Sequence, residues 1–473
     1  MAKAKKLGAA GKNARIISMF ALALINVAAI ASLRGLPSMA EYGLSSVFFY
    51  CLAALTFFIP AALVSAELAT GWPKEGGVYA WVKEAFGENF GFLAIWIQWI
   101  QNVIWYPTAL SFTAATLAFA FNPALASNSI FMFAIILIVY WGATLLNLRG
   151  MALSSKITSL GAMGGTIIPG TLIIILAIAW LLGPNPVQTE ISFGALFPDM
   201  ESISSIVLAV SVLLSFAGIE MSAVHAREVK NPKKDFPRAI FLSVAIILVV
   251  FILGTLAISI VVPAKSISLV AGVMQSFSIF LKAYNLAWLI PIISLMIAGG
   301  AIGQVSTWIA GPSRGMLTTA KGGCLPKFLS KTNSAGMPIN MLIIQGAIVT
   351  ILATVFLFMP DVSSSYWILT ALTAIVYLVM YVIMFSAAIK LRYSSPKVKR
   401  AYCVPGGKLG MWAVAGLGIA SSLIGIAVGF FPPAQEKIGN FLFYEGFLIC
   451  GAILLVGAPL LIHYAMKGKN RGR

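Results

Sequence analysis

Two stretches, Ala28-Ala-Ile-Ala-Ser-Leu-Arg-Gly-Leu-Pro37 and Ser215-Phe-Ala-Gly-Ile-Glu-Met-Ser222, each lie in an apolar run long enough to cross a bilayer, and each makes poor continuous helix. In the first, an arginine, a glycine and a proline arrive before the next polar loop; in the second, a glycine and an acid fall at comparable depth. Unpaired backbone N–H and C=O groups cost several kcal/mol in lipid, so irregular backbone at membrane depth is tolerated only where it lines a cavity. Interrupted spans at positions one and six, five helices apart, are the pattern of an inverted repeat of five plus five helices with the site between them. Helix-end N–H groups hold a carboxylate and freed carbonyls hold an ammonium, and that pair describes an α-amino acid. Plainer readings stand beside this one: Gly35 and Pro37 end a helix at the outer surface, and Gly218 is a close-packing residue.

Outward from these stretches, the whole chain reads as membrane protein. Of its 473 residues 60% are hydrophobic and 10% charged, and the mean hydropathy is +0.96, which excludes a water-soluble surface. Apolar runs fall at 16–33, 44–66, 89–120, 129–147, 158–182, 202–225, 238–262, 285–311, 338–359, 364–389, 409–431 and 441–465. Eleven apolar stretches after the first mark that one as an uncleaved helix, although its basic start is like that of a signal peptide. The expected architecture is an all-α integral membrane protein of about twelve transmembrane helices. It divides into a tail at 1–15, a first five-helix repeat at 16–182, a second at 202–389, two further spans within 409–465 and a tail at 466–473. After Val262 an outer segment of intermediate polarity has room for a short helix over the vestibule.

The net charge of +18 raises the question of nucleic acid, and its placement answers it. Of the 32 Lys and Arg, all but Arg34, Lys265, Lys282 and Lys437 sit in the two tails and in alternate loops, with no separate basic domain. The positive-inside rule then puts both termini and those loops in the cytoplasm. Cys51, Cys324, Cys403 and Cys450 have no metal or redox spacing, and His225 and His463 are isolated, so no metal or cofactor is expected. The partners expected are a small-molecule amino acid and the lipid bilayer; monomer and homodimer both stay open. An embedded enzyme would need a cluster of catalytic groups inside the spans, and a channel would need rings of polar groups.

Several segments resemble the amino acid-polyamine-organocation transporters. Phe216-Ala-Gly-Ile-Glu220 followed by Glu228-Val-Lys-Asn-Pro-Lys-Lys-Asp-Phe-Pro is similar to the sixth helix and next loop of that superfamily. Cys324-Leu-Pro, Asn333-Ser-Ala-Gly-Met-Pro338 and Pro405-Gly-Gly look like its later landmarks. Ala40-Glu-Tyr-Gly, Ser65-Ala-Glu-Leu-Ala-Thr-Gly-Trp-Pro and Gly76-Gly-Val-Tyr-Ala-Trp-Val look closest to the glutamate/GABA antiporter subfamily. The likeness covers nearly the whole chain and implies a LeuT-type fold, a bacterial inner membrane and exchange of one amino acid for another or for its decarboxylation product, without ATP. Proton- or sodium-coupled symport is the alternative. Two departures stand out: Ile30-Ala-Ser32 replaces the usual Gly-Ser-Gly of the first break, and Leu214 stands where arginine/agmatine antiporters carry a gating tryptophan. Some members also carry a long C-terminal plug, which the ending Lys467-Gly-Lys-Asn-Arg-Gly-Arg473 leads us not to expect here.

The candidate substrate residues are Ile30, Ala31, Ser32, Leu33 and Arg34 at the first break, Ser215, Phe216, Ala217, Gly218 and Ile219 at the second, with Asn102 and Trp308. Gln98, Gln101, Asn102 and Trp105 recur at helical steps on one face of the third span, which is expected to line the cavity. Resemblance gives Asn102 a place at the substrate, Trp308 a stacking role as inner gate, and Glu220 a gating or proton-sensing role. The plainer alternatives are helix-bridging polar groups, a belt tryptophan and a structural carboxylate. Arg34 either meets a substrate carboxylate or snorkels to the outer interface. Lys156 either takes a coupling-ion role, as in some proton-coupled relatives, or is an ordinary basic-loop residue. Glu67 reads as a helix-end residue on a wet face.

Overall fold

The computed structural model describes residues 17–73, 76–149, 163–198, 202–222, 229–437 and 439–471. Among them the chain is almost wholly helical, with two isolated bridges in place of any sheet. Eleven helical segments are long and apolar enough to span a membrane, counted here from the second span, Gly43–Gly71, to the twelfth, Phe441–Ile462. The first span falls short because it is broken into Met19–Ile30, a 3₁₀ turn at Leu33–Gly35 and a short helix Leu36–Ala40. Pro37 sits in the first turn of that last piece, where a proline restarts a helix without losing a needed N–H. Among the described residues two helices of more than five residues lie outside the spans: Val78–Phe86, for which the sequence reading has no counterpart, and Gly272–Ala283, in the outer segment with room for one.

Burial sorts the spans. Within their apolar windows the third (Glu88–Phe121) and tenth (Val362–Ser394) are each 83% buried, whereas the eleventh (Gly407–Gly429) is 28% and the twelfth 11% buried. The third packs along the eighth (Ala287–Leu317) and the tenth, forming the centre, and the last two lie at the periphery. Exposed residues such as Leu442, Ile453 and Leu461 on the twelfth need lipid against them. The second and fifth spans each contain a widened π turn, Ala54–Phe58 and Met163–Ile167, immediately ahead of Pro60 and Pro169. A proline ring collides with the carbonyl four residues back, and the wider turn makes room for it.

Spans one, two, six and seven hold one another directly. The Phe216 ring of the sixth (Ile203–Met221) stacks on Phe58 of the second at 4.8 Å and on Phe251 of the seventh (Lys233–Val261) at 5.9 Å. Asn26 of the first span donates to Ser243 of the seventh at 3.1 Å, and the hydroxyls of Tyr50 and Thr255 lie 3.0 Å apart. These polar side chains are buried, and each finds a partner on a neighbouring helix.

At the end away from the basic loops, the connection between spans eleven and twelve is tied down on two sides. Ala434 N–H and Gln435 Nε2 donate to Ser204 O and Ser205 O at the start of the sixth span, at 3.0 and 2.9 Å, and Lys437 O accepts from Ser364 of the tenth at 2.8 Å. Burial, and then repulsion from Glu436, pushes the Glu41 carboxyl up to about 8; burial, and then Asp361, pushes Glu436 up to about 8. Their unfolded values lie near 4.5, so between the two the folded chain holds protons that the unfolded chain has released. Stability from these acids is full below the unfolded value and is lost as pH rises through about 8. The melting temperature is therefore expected to fall over that window in the wild type and to fall less in Glu436→Gln; parallel profiles would remove these acids as the cause.

Candidate functional site

In the first span the helix stops at Ile30, Ala31 and Ser32 take extended backbone, and the Ser32 hydroxyl accepts from Arg34 N–H at 3.4 Å. In the sixth span the helix stops at Phe216; Ala217 is extended and Gly218 has φ of +109°, after which Ile219–Ser222 turns again. That left-handed backbone favours glycine at 218. The two breaks meet: a Cβ built on Gly35 would lie 2.7 Å from the Ser215 hydroxyl oxygen. A side chain at 35 would make the Ser215 hydroxyl turn away from the first break.

Between them lies a cavity of about 60 Å³ lined by Ile30, Ser32, Arg34 and Gly35 from the first break and by Leu214, Ser215 and Ala217 from the second. The third span adds Gln101, Asn102 and Trp105, the eighth Gln304 and Trp308, and Phe251 and Tyr377 complete the wall. The volume suits about four waters at ~15 Å³ each. The rings of Trp105 and Trp308, 6.3 Å apart, close one side.

Arg34 is 8% exposed and sits in this wall, away from the surface. Its Nη1 donates to Tyr366 at 3.1 Å and to Thr108 at 3.4 Å, and its guanidinium carbon lies 5.6 Å from the Trp105 ring and 5.8 Å from the Tyr366 ring. Aromatic faces and neutral hydroxyls stabilise a guanidinium without cancelling its charge. No carboxylate among the described residues pairs with it, and its buried Nε has no hydrogen-bond partner.

Glu220 is 1% exposed and receives a hydrogen bond from every side. Gln98 Nε2 donates to Oε1 at 3.0 Å and Tyr377 to the same oxygen at 2.5 Å, while Tyr381 donates to Oε2. The Tyr381 oxygen in turn accepts the Gly218 N–H at 2.7 Å. One hydroxyl thus joins the broken backbone of span six to its own acid and holds both against span ten. The residue numbers give a signal for the tyrosine pair, since 377 and 381 lie one helical turn apart, but not for its target.

The expected site residues divide. Ile30, Ser32, Arg34, Asn102, Ser215, Ala217 and Trp308 line the cavity. Ala31, Leu33, Ile219 and Phe216 do not, and Phe216 is instead a core ring in the aromatic stack. Gly218 does not line it either; its N–H goes to Tyr381, and a Cβ there would stand 3.6 Å from Trp308. Lys156 lies outside the described residues. Gln304, Tyr366 and Thr108 went unnoticed in the sequence. Glu67 is no wet helix end: it is 2% exposed and bound to Arg392 and Arg400.

Residues 17–454 match the amino acid permease family, nearly the full described length. The chain belongs to the amino acid permease family. This permease is 46% identical over 447 residues to an uncharacterized transporter of Legionella pneumophila, covering 94% of this chain and 96% of that protein. It is 35% identical over 457 residues to the glutamate/gamma-aminobutyrate antiporter of Lactococcus lactis subsp. lactis, covering 95% and 91%. A more distant likeness, 27% over 297 residues, is to the cadaverine/lysine antiporter of Escherichia coli, covering 62% and 63%.

The hydrogen bonds around the permease's second break rank its two tyrosines. Tyr381→Phe strips a partner from both Gly218 N–H and Glu220, whereas Tyr377→Phe removes one of two donors on Oε1. Leaving a buried polar group unsatisfied costs about 1–3 kcal/mol, so Tyr381→Phe is expected to lower the melting temperature further than Tyr377→Phe. Equal melting temperatures for the two variants would contradict the bridging role.

Proposed function

We propose that this permease exchanges an acidic amino acid for its decarboxylated product by alternating access, with the substrate held between the breaks of spans one and six. The observation that carries the reading is Arg34, a buried cation on the cavity wall with no carboxylate partner among the described residues. A charge out of water without a counter-ion is costly, and a substrate carboxylate supplies the missing partner in a charge-assisted, planar geometry. Glutamate and γ-aminobutyrate, the pair in the name of the Lactococcus relative, differ by the α-carboxylate and share the distal one. Arg34 takes the shared carboxylate, and Asn102 with the opened backbone of the breaks takes the ammonium end. Ser32 and Ser215 supply hydroxyls beside it.

The small cavity means that a substrate enters only when wall groups move, and the facing rings of Trp105 and Trp308 are the bulkiest of them. Glu220 gates through its tyrosine bonds to span ten: protonating it exchanges an acceptor for a donor and reorders the bonds that hold Gly218. The frame for this motion is the five-plus-five repeat, 16–182 and 202–389, followed by 409–465, in a bacterial cytoplasmic membrane with both termini inside. The basic loops support that orientation.

The test is uptake of labelled glutamate into proteoliposomes loaded with unlabelled γ-aminobutyrate, against empty vesicles. Exchange predicts uptake only in loaded vesicles, and uptake into empty vesicles driven by a proton or sodium gradient would overturn it. Losing a hydrogen bond to a charged group is worth ~1.5–3 kcal/mol, so Arg34→Gln should raise the KM for glutamate about ten- to a hundredfold. Leucine competing as well as glutamate in the wild type would refute the acidic substrate class.

A further inference from the structure

A second cavity, of about 500 Å³, opens where the second span, the seventh span and the loop before the eleventh meet. Its walls combine two cations, Lys233 and Arg400, with Leu63, Pro237, Phe241 and Tyr402. Phe241 is 55% exposed, so the apolar side of the cavity continues onto the lipid-facing surface of the seventh span. The polar side lies among the basic loops.

The charges there do not balance. Glu67 is shared by Arg392, through Nε at 2.6 Å and Nη2 at 2.5 Å, and by Arg400, whose Nε stands 3.3 Å away. Two guanidiniums against one carboxylate leave one positive charge in a cluster where Arg400 is 6% and Arg392 11% exposed at the side chain. Arg400 uses Nη2 on the carbonyls of Leu391 and Ser395 and Nη1 on that of Val398 at 3.4 Å, its guanidinium carbon lies 4.9 Å from the Trp72 ring, and its Nε, beside Glu67, makes no hydrogen bond. Lys233, exposed at the cavity rim, adds a second charge and has no ion pair among the described residues. The nearby Asp235 carboxylate is turned back to the helix start, accepting from Asn231 N–H at 2.9 Å. Lys233 also stands in the first turn of the 30-residue helix Pro232–Val261, whose amino end favours an anion.

From this arrangement we infer that the cavity binds an anionic membrane phospholipid, its phosphate between Lys233 and the surplus charge of the Glu67 cluster and its acyl chain along Leu63, Pro237 and Phe241. A free phosphate satisfies the charge but leaves the apolar wall uncovered. A zwitterionic lipid covers the wall but brings its own cation to a site already in positive surplus. The site shares no lining residue with the central cavity, so it stands whether or not the proposed exchange does; the positive-inside orientation assigns it to the cytoplasmic leaflet.

Delipidated, purified protein in neutral detergent tests this by melting temperature, with added phosphatidylglycerol, phosphatidylcholine or inorganic phosphate. Phosphatidylglycerol is expected to give a saturable rise, phosphatidylcholine and phosphate little or none, since a ligand stabilises the state that binds it. Lys233→Gln, at an exposed position, should lose about half of that rise or more, while Lys265→Gln, exposed at the opposite end, should keep it. Native mass spectrometry of the same samples should show one tightly retained phosphatidylglycerol in the wild type and its loss in Lys233→Gln. An equal rise with phosphatidylcholine, a rise reproduced by phosphate alone, no rise with phosphatidylglycerol, or a Lys233→Gln protein that behaves as wild type would each overturn the inference.

Discussion

Everything in this molecule answers to one constraint, that a backbone polar group inside the hydrocarbon layer must find its partner within the protein. Continuous helix meets it along most of the chain. Where helix is interrupted, the partners have to come from elsewhere, and here they are identifiable: the Ser32 hydroxyl at the first break and the Tyr381 hydroxyl at the second. The first partner is local, whereas the second needs a neighbouring span already in place. The tenth span, one of the two most buried, supplies that neighbour, and the third, equally buried, adds Gln101 and Asn102 to the cavity wall.

Three buried charges meet the same low dielectric in different ways. Glu67 is neutralised, and more than neutralised, by two arginines. Glu220 has no cation against it among the described residues and is surrounded by hydrogen-bond donors, two tyrosines and a glutamine. Among the described residues Arg34 has hydroxyls and aromatic faces against its guanidinium. The first arrangement leaves its acid needing nothing further, and it fixes the second span to the tenth and to the loop beyond it. The last is complete only with something added, which is the property expected of a transport site, as opposed to a strut.

The many-span helical architecture was legible in the sequence because apolar length is summed over many residues and survives local error. The breaks were legible too, since Gly218, Pro37 and the charges at 34 and 220 violate the surrounding pattern. What the sequence concealed was pairing at long separation. Nothing near residue 220 announces that its partners stand at 98, 377 and 381, and Phe216, adjacent to a break, reads as a site residue until its ring is seen stacked between Phe58 and Phe251. Glu67 was misjudged for the same reason: the arginines that bury it arrive more than three hundred positions later. Side-chain type predicts that a partner is needed, and only the fold says which.

The aromatic stack has a mechanical meaning. Phe58, Phe216 and Phe251 belong to three different spans, and the Asn26–Ser243 bond fastens a fourth to them. Close-packed rings transmit displacement and do not absorb it, because sliding one past another opens a void. Spans one, two, six and seven are therefore packed as one unit, and Tyr377 and Tyr381 on the tenth span bear on it near the point where its helices are already broken.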